Sequence, residues 1–133
     1  RLTPDERVVM NQADWEKATA WGIVEERKGK RELRACIEIC PEEWSNRLII
    51  TELWVHEEMR RQGVGHQLMA IAKEQAKREK RRAIILETQS CNVGAIAFYR
   101  KEGFVLIGFD SCCYSNQDMQ RREVRLDMGY FLS

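Results

Sequence analysis

Hydrophobic and polar residues follow two different periods along this chain of 133 residues. Thr19–Arg27 and Leu33–Cys40 alternate with a period of two, which predicts two β-strands. The Lys28–Lys30 segment between them contains a glycine and is typical of a tight turn, so we expect a β-hairpin. After a polar connection at Pro41–Arg47, Leu48–Val55 is more continuously apolar, which predicts a third strand in the centre of a sheet.

Helical and strand patterns alternate in the second half of the chain. From Val64 to Lys80 the apolar residues recur at helical spacing, which predicts a long amphipathic helix. Ala83–Thr88 predicts a buried strand. Asn92 is a favourable N-cap residue and Gly103 stands where a glycine commonly ends a helix, so a short helix is predicted between them. Two more strands are predicted, Phe104–Asp110 and Glu123–Tyr130, the last one antiparallel or at an edge.

This order of elements predicts the fold class. Antiparallel hairpins on either side of a central strand–helix–strand crossover predict an α/β (α+β) fold with a mixed, mostly antiparallel sheet. A chain of 133 residues fits one domain with one core. The chain begins at Arg1 and not at a methionine, so we expect it to be processed, trimmed or the ordered part of a longer protein. The segment before Thr19 is short, and we expect residues 1–133 to be a single domain that lacks part of an N-terminal strand and helix region.

The composition excludes several classes of partner. The 22 basic residues are matched by 21 acidic ones, for a formal net charge of +1, so no field favours nucleic acid or an anionic membrane. No apolar run approaches the roughly 20 residues that span a bilayer. Five cysteines, two of them adjacent, form no CxxC pair. We therefore expect no metal, no disulfide framework and a cytoplasmic location.

The clearest chemical signal is the loop from Arg60 to Gly65, with the sequence RRQGVG. It joins an apolar strand to a helix, and the N-terminus of a helix offers unpaired N–H groups to an anion. Gly63 and Gly65 would let phosphate oxygens approach the backbone, and the guanidinium groups of Arg60 and Arg61 add charged donors. The glycines alone are more typical of a tight strand-to-helix turn, but the arginines beside them and the position after an apolar strand favour a phosphate-binding loop.

Two segments resemble the GNAT superfamily of N-acetyltransferases. RRQGVG resembles its acetyl-CoA motif, R/Q-x-x-G-x-G/A, although the commonest form carries glycine at the position of Arg61. Leu86–Phe104 resembles its second signature, in which a strand and an asparagine precede a helix containing Phe-Tyr and then Gly-Phe. The similarity runs from roughly Trp21 to the C-terminus and implies the GNAT fold, acetyl-CoA as co-substrate and transfer of an acetyl group to an amine.

Shorter stretches resemble the streptothricin acetyltransferases within this superfamily. They are PEEWSNR, LETQ with the following asparagine, GFD and RREVRLDMGYFL. The resemblance implies an amine acceptor on a small cationic antibiotic, and hence antibiotic resistance. Other acceptors stay open, namely a polyamine, an amino acid or a protein N-terminus, as does a non-catalytic acetyl-CoA-binding domain. Many relatives dimerise through their C-terminal strands, which makes a homodimer an expectation here too.

The resemblance also assigns roles in holding the co-substrate. The main chain of one strand would pair with pantetheine, and the loop and the first helical turn would wrap the pyrophosphate. Asn92 would contact pantetheine, although it is also the predicted helix cap. His66 could take part only through its backbone. The residues implied to bind acetyl-CoA are Leu53, Trp54, Val55, Arg60, Arg61, Gln62, Gly63, Val64, Gly65, His66 and Asn92.

Catalytic roles follow in the same way. Tyr99 falls on the tyrosine that protonates the departing thiolate in many relatives, and core packing is its alternative. Glu52 and then Glu87 are the candidates for the base, because a carboxylate within an apolar strand is costly unless it is paired or functional; either could instead face solvent. With Asp110 they could attract a cationic acceptor. Cys91 is interpreted as a packing residue, and Trp44 as a wall of the acceptor cleft.

Overall fold

The computed structural model describes residues 2–4, 17–111, 113–121 and 123–132. The strands of this part are β1 (Leu2–Pro4), β2 (Thr19–Arg27), β3 (Lys30–Glu42), β4 (Arg47–Val55), β5 (Ala83–Gln89), β6 (Val105–Asp110) and β7 (Arg125–Phe131). The helices are α1 (Val64–Arg78), α2 (Val93–Lys101) and α3 (Asp118–Arg121). Short 3₁₀ turns lie at Glu43–Ser45 and Glu57–Met59.

These strands form one sheet in the order β1-β2-β3-β4-β5-β7-β6. Every neighbouring pair is antiparallel except β4 and β5, which are parallel and are joined through α1. The predicted mixed, mostly antiparallel sheet with a central strand–helix–strand crossover is therefore confirmed. The last predicted strand, β7, is antiparallel, as expected, but it lies between β5 and β6, so β6 forms this edge of the sheet.

The β3–β4 connection is shorter than the sequence pattern predicts. The segment Pro41–Arg47 was expected to be a polar connection, yet Glu42 ends β3 and Arg47 begins β4. The two residues face each other in the ladder, and Arg47 Nη2 lies 2.6 Å from Glu42 Oε1. A cross-strand ion pair thus lets polar residues continue the strands where their polarity had indicated a loop.

Both longer helices pack on one face of the sheet. Helix α1 buries Leu68, Met69, Ala72 and Ala76 completely. Against them lie alternate residues of the central strands, among them Ile37, Ile50 and Leu86. Ile96, Phe98 and Tyr99 of α2 extend the same cluster. Because side chains alternate across a strand, the residues between these face the other side, where Ile49, Ala83 and Ile85 form a second buried cluster.

Candidate active site

Strands β4 and β5 separate halfway along their length. They pair only from Arg47 with Ala83 to Ile50 with Leu86. Beyond that point β4 pairs with β3 alone, while β5 continues to pair with β7. The expected divergence of two neighbouring parallel strands is present, and it leaves a gap between them at their carboxyl ends.

A β-bulge in β4 lies where the divergence starts. The register of β3 against β4 shifts from Ile39 opposite Ile50 to Glu38 opposite Glu52, so Thr51 is an extra residue in β4. A bulge bends its strand and increases the local twist, which turns β4 away from β5. The Thr51 hydroxyl donates to the Glu38 carboxylate at 2.9 Å, and this bond holds the bulged residue.

The bulge also determines which backbone groups face the gap. The N–H of His56 donates to the carbonyl of Arg34 at 2.7 Å, one step beyond the last paired residues of β3 and β4. Alternate residues of an antiparallel ladder bond to the same partner strand. Trp54 therefore bonds toward β3, whereas the N–H and C=O groups of Leu53 and Val55 point away from it, into the gap. Of the three residues whose main chain was predicted to pair with pantetheine, Leu53 and Val55 therefore have backbone groups that face the gap, and Trp54 does not.

The N-terminus of α1 lies just past the end of β4. Gly63 precedes the helix and has no side chain to cap it. In the described chain the first intrahelical bond runs from the N–H of Gln67 to the carbonyl of Gly63, at 3.0 Å. The N–H groups of Val64, Gly65 and His66 come before that bond, so this turn has the free backbone donors that an anion site requires.

Backbone conformation explains the glycines and the arginine of the loop. Arg61 has φ +64°, in the left-handed region, which is why glycine is commonest at this position of the motif. Gly63 has φ +78° with open space around it. At Gly65 a second constraint is present, because a Cβ there would lie 3.2 Å from Cζ of Phe98. Gly65 is small so that α2 can pack against the first turn of α1.

Side chains of the loop region differ in their contacts. Arg60 and Arg61 are exposed. The Gln62 side chain turns back into the loop and donates to the carbonyl of Glu58 at 3.0 Å. His66 is 71% exposed, yet Nδ1 lies 2.8 Å from the Glu102 carboxylate, so it is neither a free surface side chain nor a buried one.

Helix α2 begins and ends as its sequence predicts. The Asn92 side chain accepts from the N–H of Ala95 at 3.2 Å, which confirms the N-cap. At the other end Gly103 has φ +101°, and the N–H of Phe104 donates to the carbonyl of Tyr99 at 2.9 Å. Together with the bond from Gly103 to Arg100, at 3.0 Å, this is a Schellman motif.

Tyr99 lies on the α2 face that packs toward the core. Its ring contacts Phe98 edge-on, with centroids 5.6 Å apart, and Phe104 at 6.0 Å. Burial raises the pKa of the Tyr99 phenol, so the hydroxyl stays protonated at neutral pH. Helix α2 is also tied to α1 through Glu102, whose carboxylate accepts from Lys73 at 3.1 Å.

Carboxylates cluster on the face of the sheet opposite the helices. Glu52 is half-buried, and the thiol of Cys36 lies 3.6 Å from its Oε1. Glu38, which is 3% exposed, stands directly opposite Glu52 in the ladder. Glu87 lies across the gap on β5, more exposed, with its carboxylate 3.5 Å from Nη1 of Arg125.

Glu38 is the residue that the sequence analysis missed. The signal was present, because Glu38 is a charged residue inside the apolar stretch ACIEIC, the same argument that singled out Glu52 and Glu87.

Three other expectations from the sequence, for Asp110, Trp44 and Cys91, change. Asp110 lies on the edge strand β6, separated from β5 by β7. Trp44 is 79% exposed before the start of β4, far from the gap, and Cys91 is exposed and not packed.

Comparison with known proteins identifies the family. The sequence pattern of the acetyltransferase (GNAT) family matches residues 2–104. The chain belongs to the acetyltransferase (GNAT) family. Two features that the resemblance implied, the divergent parallel strands and the open helix N-terminus, are both present in the fold.

The curated relatives are streptothricin acetyltransferases. Streptothricin acetyltransferase A of Bacillus subtilis strain 168 is 36% identical over 73 residues, which cover 55% of this chain and 42% of that protein. Streptothricin acetyltransferase of Escherichia coli is 32% identical over 109 residues, covering 82% and 59%. The chain spans about half the length of these curated relatives.

Solved structures agree on the fold. A candidate streptothricin acetyltransferase of Bacillus anthracis strain Ames, in complex with acetyl coenzyme A, superposes with a TM-score of 0.74 at 31% identity, over 86% of this chain and 62% of that one. Nourseothricin acetyltransferase superposes with a TM-score of 0.74 at 27% identity, over 96% and 71%. These likenesses confirm the predicted GNAT fold and the resemblance to streptothricin acetyltransferases. No helix in the described part is long and apolar enough to cross a membrane.

Proposed function

We propose that this chain is the acetyl-CoA-binding part, and the catalytic part, of an N-acetyltransferase that acts on an amine of a small cationic molecule of the streptothricin type. The observation that carries the proposal is the gap between β4 and β5 next to the open N-terminus of α1. An unpaired strand edge suits the amides of a pantetheine arm, and open helical N–H groups suit a pyrophosphate.

The residues present fit acetyl coenzyme A at three places. The main chain of Leu53 and Val55 pairs with pantetheine, with Trp54 beside them. The pyrophosphate lies on the backbone of the loop and the first turn of α1, near the Arg60 and Arg61 guanidinium groups. Asn92 keeps its Nδ2 for pantetheine while Oδ1 caps α2. The loop and turn residues in this role are Gln62, Gly63, Val64, Gly65 and His66.

The reaction we propose is direct transfer. Glu52 takes a proton from the acceptor's ammonium group, and the amine nitrogen then attacks the thioester carbonyl carbon. The C–S bond breaks as the new C–N bond forms, and the leaving thiolate takes its proton from the Tyr99 hydroxyl. The acylated nitrogen loses its remaining extra proton, which returns Tyr99 to the neutral phenol, and Glu52 releases the proton it took to solvent. Burial keeps that hydroxyl protonated until it is needed, which supports Tyr99 as the acid. Glu87 ranks behind Glu52 because its carboxylate pairs with Arg125.

A cationic acceptor fits the charge near the gap. Glu38, Glu52 and Glu87 supply three carboxylates at or near the face away from the helices. Two relatives carry the name streptothricin acetyltransferase and one the name nourseothricin acetyltransferase, which supports this class of acceptor and a role in antibiotic resistance.

A thiol-release assay with acetyl coenzyme A and a panel of amines tests this function. Release with streptothricin supports the proposal; release only with polyamines, amino acids or peptide N-termini redirects the acceptor. Binding without release with any amine would make the chain a non-catalytic acetyl-CoA-binding domain. A well-folded full chain that shows no affinity for acetyl coenzyme A in calorimetry would end the proposal.

Two substitutions test the assigned roles. Tyr99→Phe should lower kcat about 100-fold and leave KM for acetyl coenzyme A unchanged, because only the proton donor is lost. Glu52→Gln should lower kcat, whereas Glu87→Gln is the matched control with a smaller effect. If the Glu52→Gln and Tyr99→Phe variants have the same rates as the wild-type protein across the pH range, both assignments are wrong.

The assembly and location we propose are a homodimer in the cytoplasm. Strand β6 is one edge of the sheet, and it exposes Val105, Leu106 and Phe109 by 52%, 59% and 68%. An apolar sheet edge of this kind favours pairing with a second copy, which light scattering on wild type and Phe109→Glu would test. The cysteines that the structure describes are free thiols, which suits a reducing compartment; Cys112 lies outside the described residues.

A further inference from the structure

We propose that Glu58 is a positioning residue that holds the loop between β4 and α1 in the shape that receives pyrophosphate, an inference that rests on the function proposed above. The loop begins in the 3₁₀ turn Glu57–Met59 and ends at Gly63. Its residues from 60 to 63 are all exposed. Met59 packs against the core, but the four residues after it are exposed, so their conformation depends on polar contacts.

Glu58 makes those contacts through its side chain and its main chain. Its Oε1 accepts from Nη1 of Arg27 at 2.8 Å and from Nη2 of Arg34. Its N–H donates to Nδ1 of His56 at 3.0 Å, and its carbonyl accepts from Nε2 of Gln62, also at 3.0 Å. One residue therefore joins the end of β4, the middle of the loop and the β2–β3 hairpin.

Arg34 is the buried and therefore least mobile partner of Glu58. The register of β2 against β3 shifts between Ile23 and Val24, which leaves Arg34 as an extra residue in β3. Its side chain is 5% exposed, and Nε lies 3.2 Å from the Glu25 carboxylate. A bulge re-aims its side chain, and a buried planar guanidinium has little freedom left to lose.

Charge keeps the contact in place at neutral pH. The hydrogen bond from Arg34, followed by that from Arg27, lowers the pKa of the Glu58 carboxyl, so it stays ionised. The contact with Glu58 likewise raises the pKa of Arg34, despite burial. Both partners of the pair are thus charged wherever the protein is folded at neutral pH.

An ordered loop matters for binding and not for the chemical step. The backbone N–H groups that would meet the pyrophosphate are useful only when they converge, and ordering a loose loop on binding weakens affinity. Tyr99 and Glu52 lie on other elements, outside the loop. Loss of Glu58 should therefore raise Kd and KM for acetyl coenzyme A and leave kcat unchanged.

The experiment compares Glu58→Gln with Glu57→Gln. Both variants remove one negative charge from the same 3₁₀ turn at the same side-chain size, but in the described chain Glu57 has no ion pair. Simple electrostatics predicts tighter binding for both, since a negative charge near a phosphate site is removed. We expect Glu58→Gln instead to weaken binding of acetyl coenzyme A about tenfold, the equivalent of about 1.4 kcal/mol, with kcat unchanged. Glu57→Gln should bind as tightly as wild type or slightly more tightly.

Hydrogen exchange on the free protein separates this inference from the proposed function. Amides of residues 60–66 should exchange faster in Glu58→Gln than in Glu57→Gln, with Arg27→Gln in between because it removes one of the two guanidinium partners. Equal exchange and equal Kd in the two glutamate variants would overturn the role of Glu58. Wild-type protein without affinity for acetyl coenzyme A would refute the proposed function, and the exchange comparison would still decide on Glu58.

Discussion

Gly65→Ala probes how closely α1 and α2 pack at the loop. A Cβ at this position would lie 3.2 Å from Cζ and 3.3 Å from Cε1 of Phe98. The ring would have to move by a few tenths of an ångström to relieve this contact. Phe98 packs against the core and lies edge-on to Tyr99, so its movement disturbs neighbours. We expect the substitution to strain the junction of the two helices.

The magnitude follows from two opposing effects. Alanine is favoured over glycine within a helix by about 0.8–1.0 kcal/mol. Overpacking of a well-filled contact costs about 1–3 kcal/mol. Gly65→Ala should therefore lower the free energy of unfolding by about 1 kcal/mol, which in a domain of this size lowers Tm by about 4 °C.

Gly94→Ala is the matched control. Gly94 is the second residue of α2, as Gly65 is of α1, and nothing lies within 4 Å of a Cβ built there. Without a clash, only the helix preference remains, so this variant should gain about 0.5–1 kcal/mol. Thermal and urea unfolding followed by circular dichroism measure both variants. A Gly65→Ala protein that melts at or above wild type, as Gly94→Ala should, would refute the packing argument.

Two further predictions concern backbone strain and pH. Arg61→Gly relieves a left-handed residue at φ +64°, so Tm should not fall in thermal unfolding, while the lost cation should weaken acetyl coenzyme A binding in calorimetry; a clear drop in Tm would contradict this. Burial raises the pKa of the Glu102 carboxyl, but the contacts from His66 and Lys73 outweigh burial and lower it overall. The stability that the ionised Glu102 carboxylate contributes is therefore present above pH 4.5, the ordinary carboxyl pKa, and is lost as the pH falls through the lowered pKa of Glu102. Glu102→Gln should lose about 1–2 kcal/mol at neutral pH in urea unfolding, and a loss that persists undiminished at acid pH would contradict the assignment.

Local patterns predicted most of the fold because their causes are local. Thr19–Arg27 is a strand with the predicted ends. The helix cap at Asn92 and the glycine end at Gly103 depend on residues three to five positions away, which the sequence displays directly. The Val64 start of α1 follows equally from the glycine before it.

What escaped prediction depends on partners distant in sequence. Glu42 and Arg47 continue strands because they pair across the turn, whereas their polarity alone indicates a loop. The role of Gly65 depends on Phe98, in another helix. Arg34 and Glu58 are 24 positions apart and come together only in the folded hairpin. No local sequence pattern shows that the Arg34 side chain is buried.

The bulge at Thr51 did leave a trace in the sequence. Leu48 and Ile50 pack on the helix side of β4, and so do Leu53 and Val55. Ile50 and Leu53 are three positions apart, which an unbroken period of two does not allow on one face. Because nearly every residue of this stretch is apolar, the shift in the alternation between Ile50 and Leu53 is not visible from the pattern of apolar and polar residues.

Thr51 has a consequence for how insertions and deletions act on this protein. Removal of this one residue would restore an unbroken alternation along β4 and leave Leu53 and Val55 on the helix side, because Leu53 would then follow Ile50 by two positions. The local bend would be lost, so β4 would stay alongside β5, and the N–H and C=O groups of Leu53 and Val55 would bond to that strand. A deletion of a single codon here would thus close the gap by backbone pairing while leaving the number of strands intact.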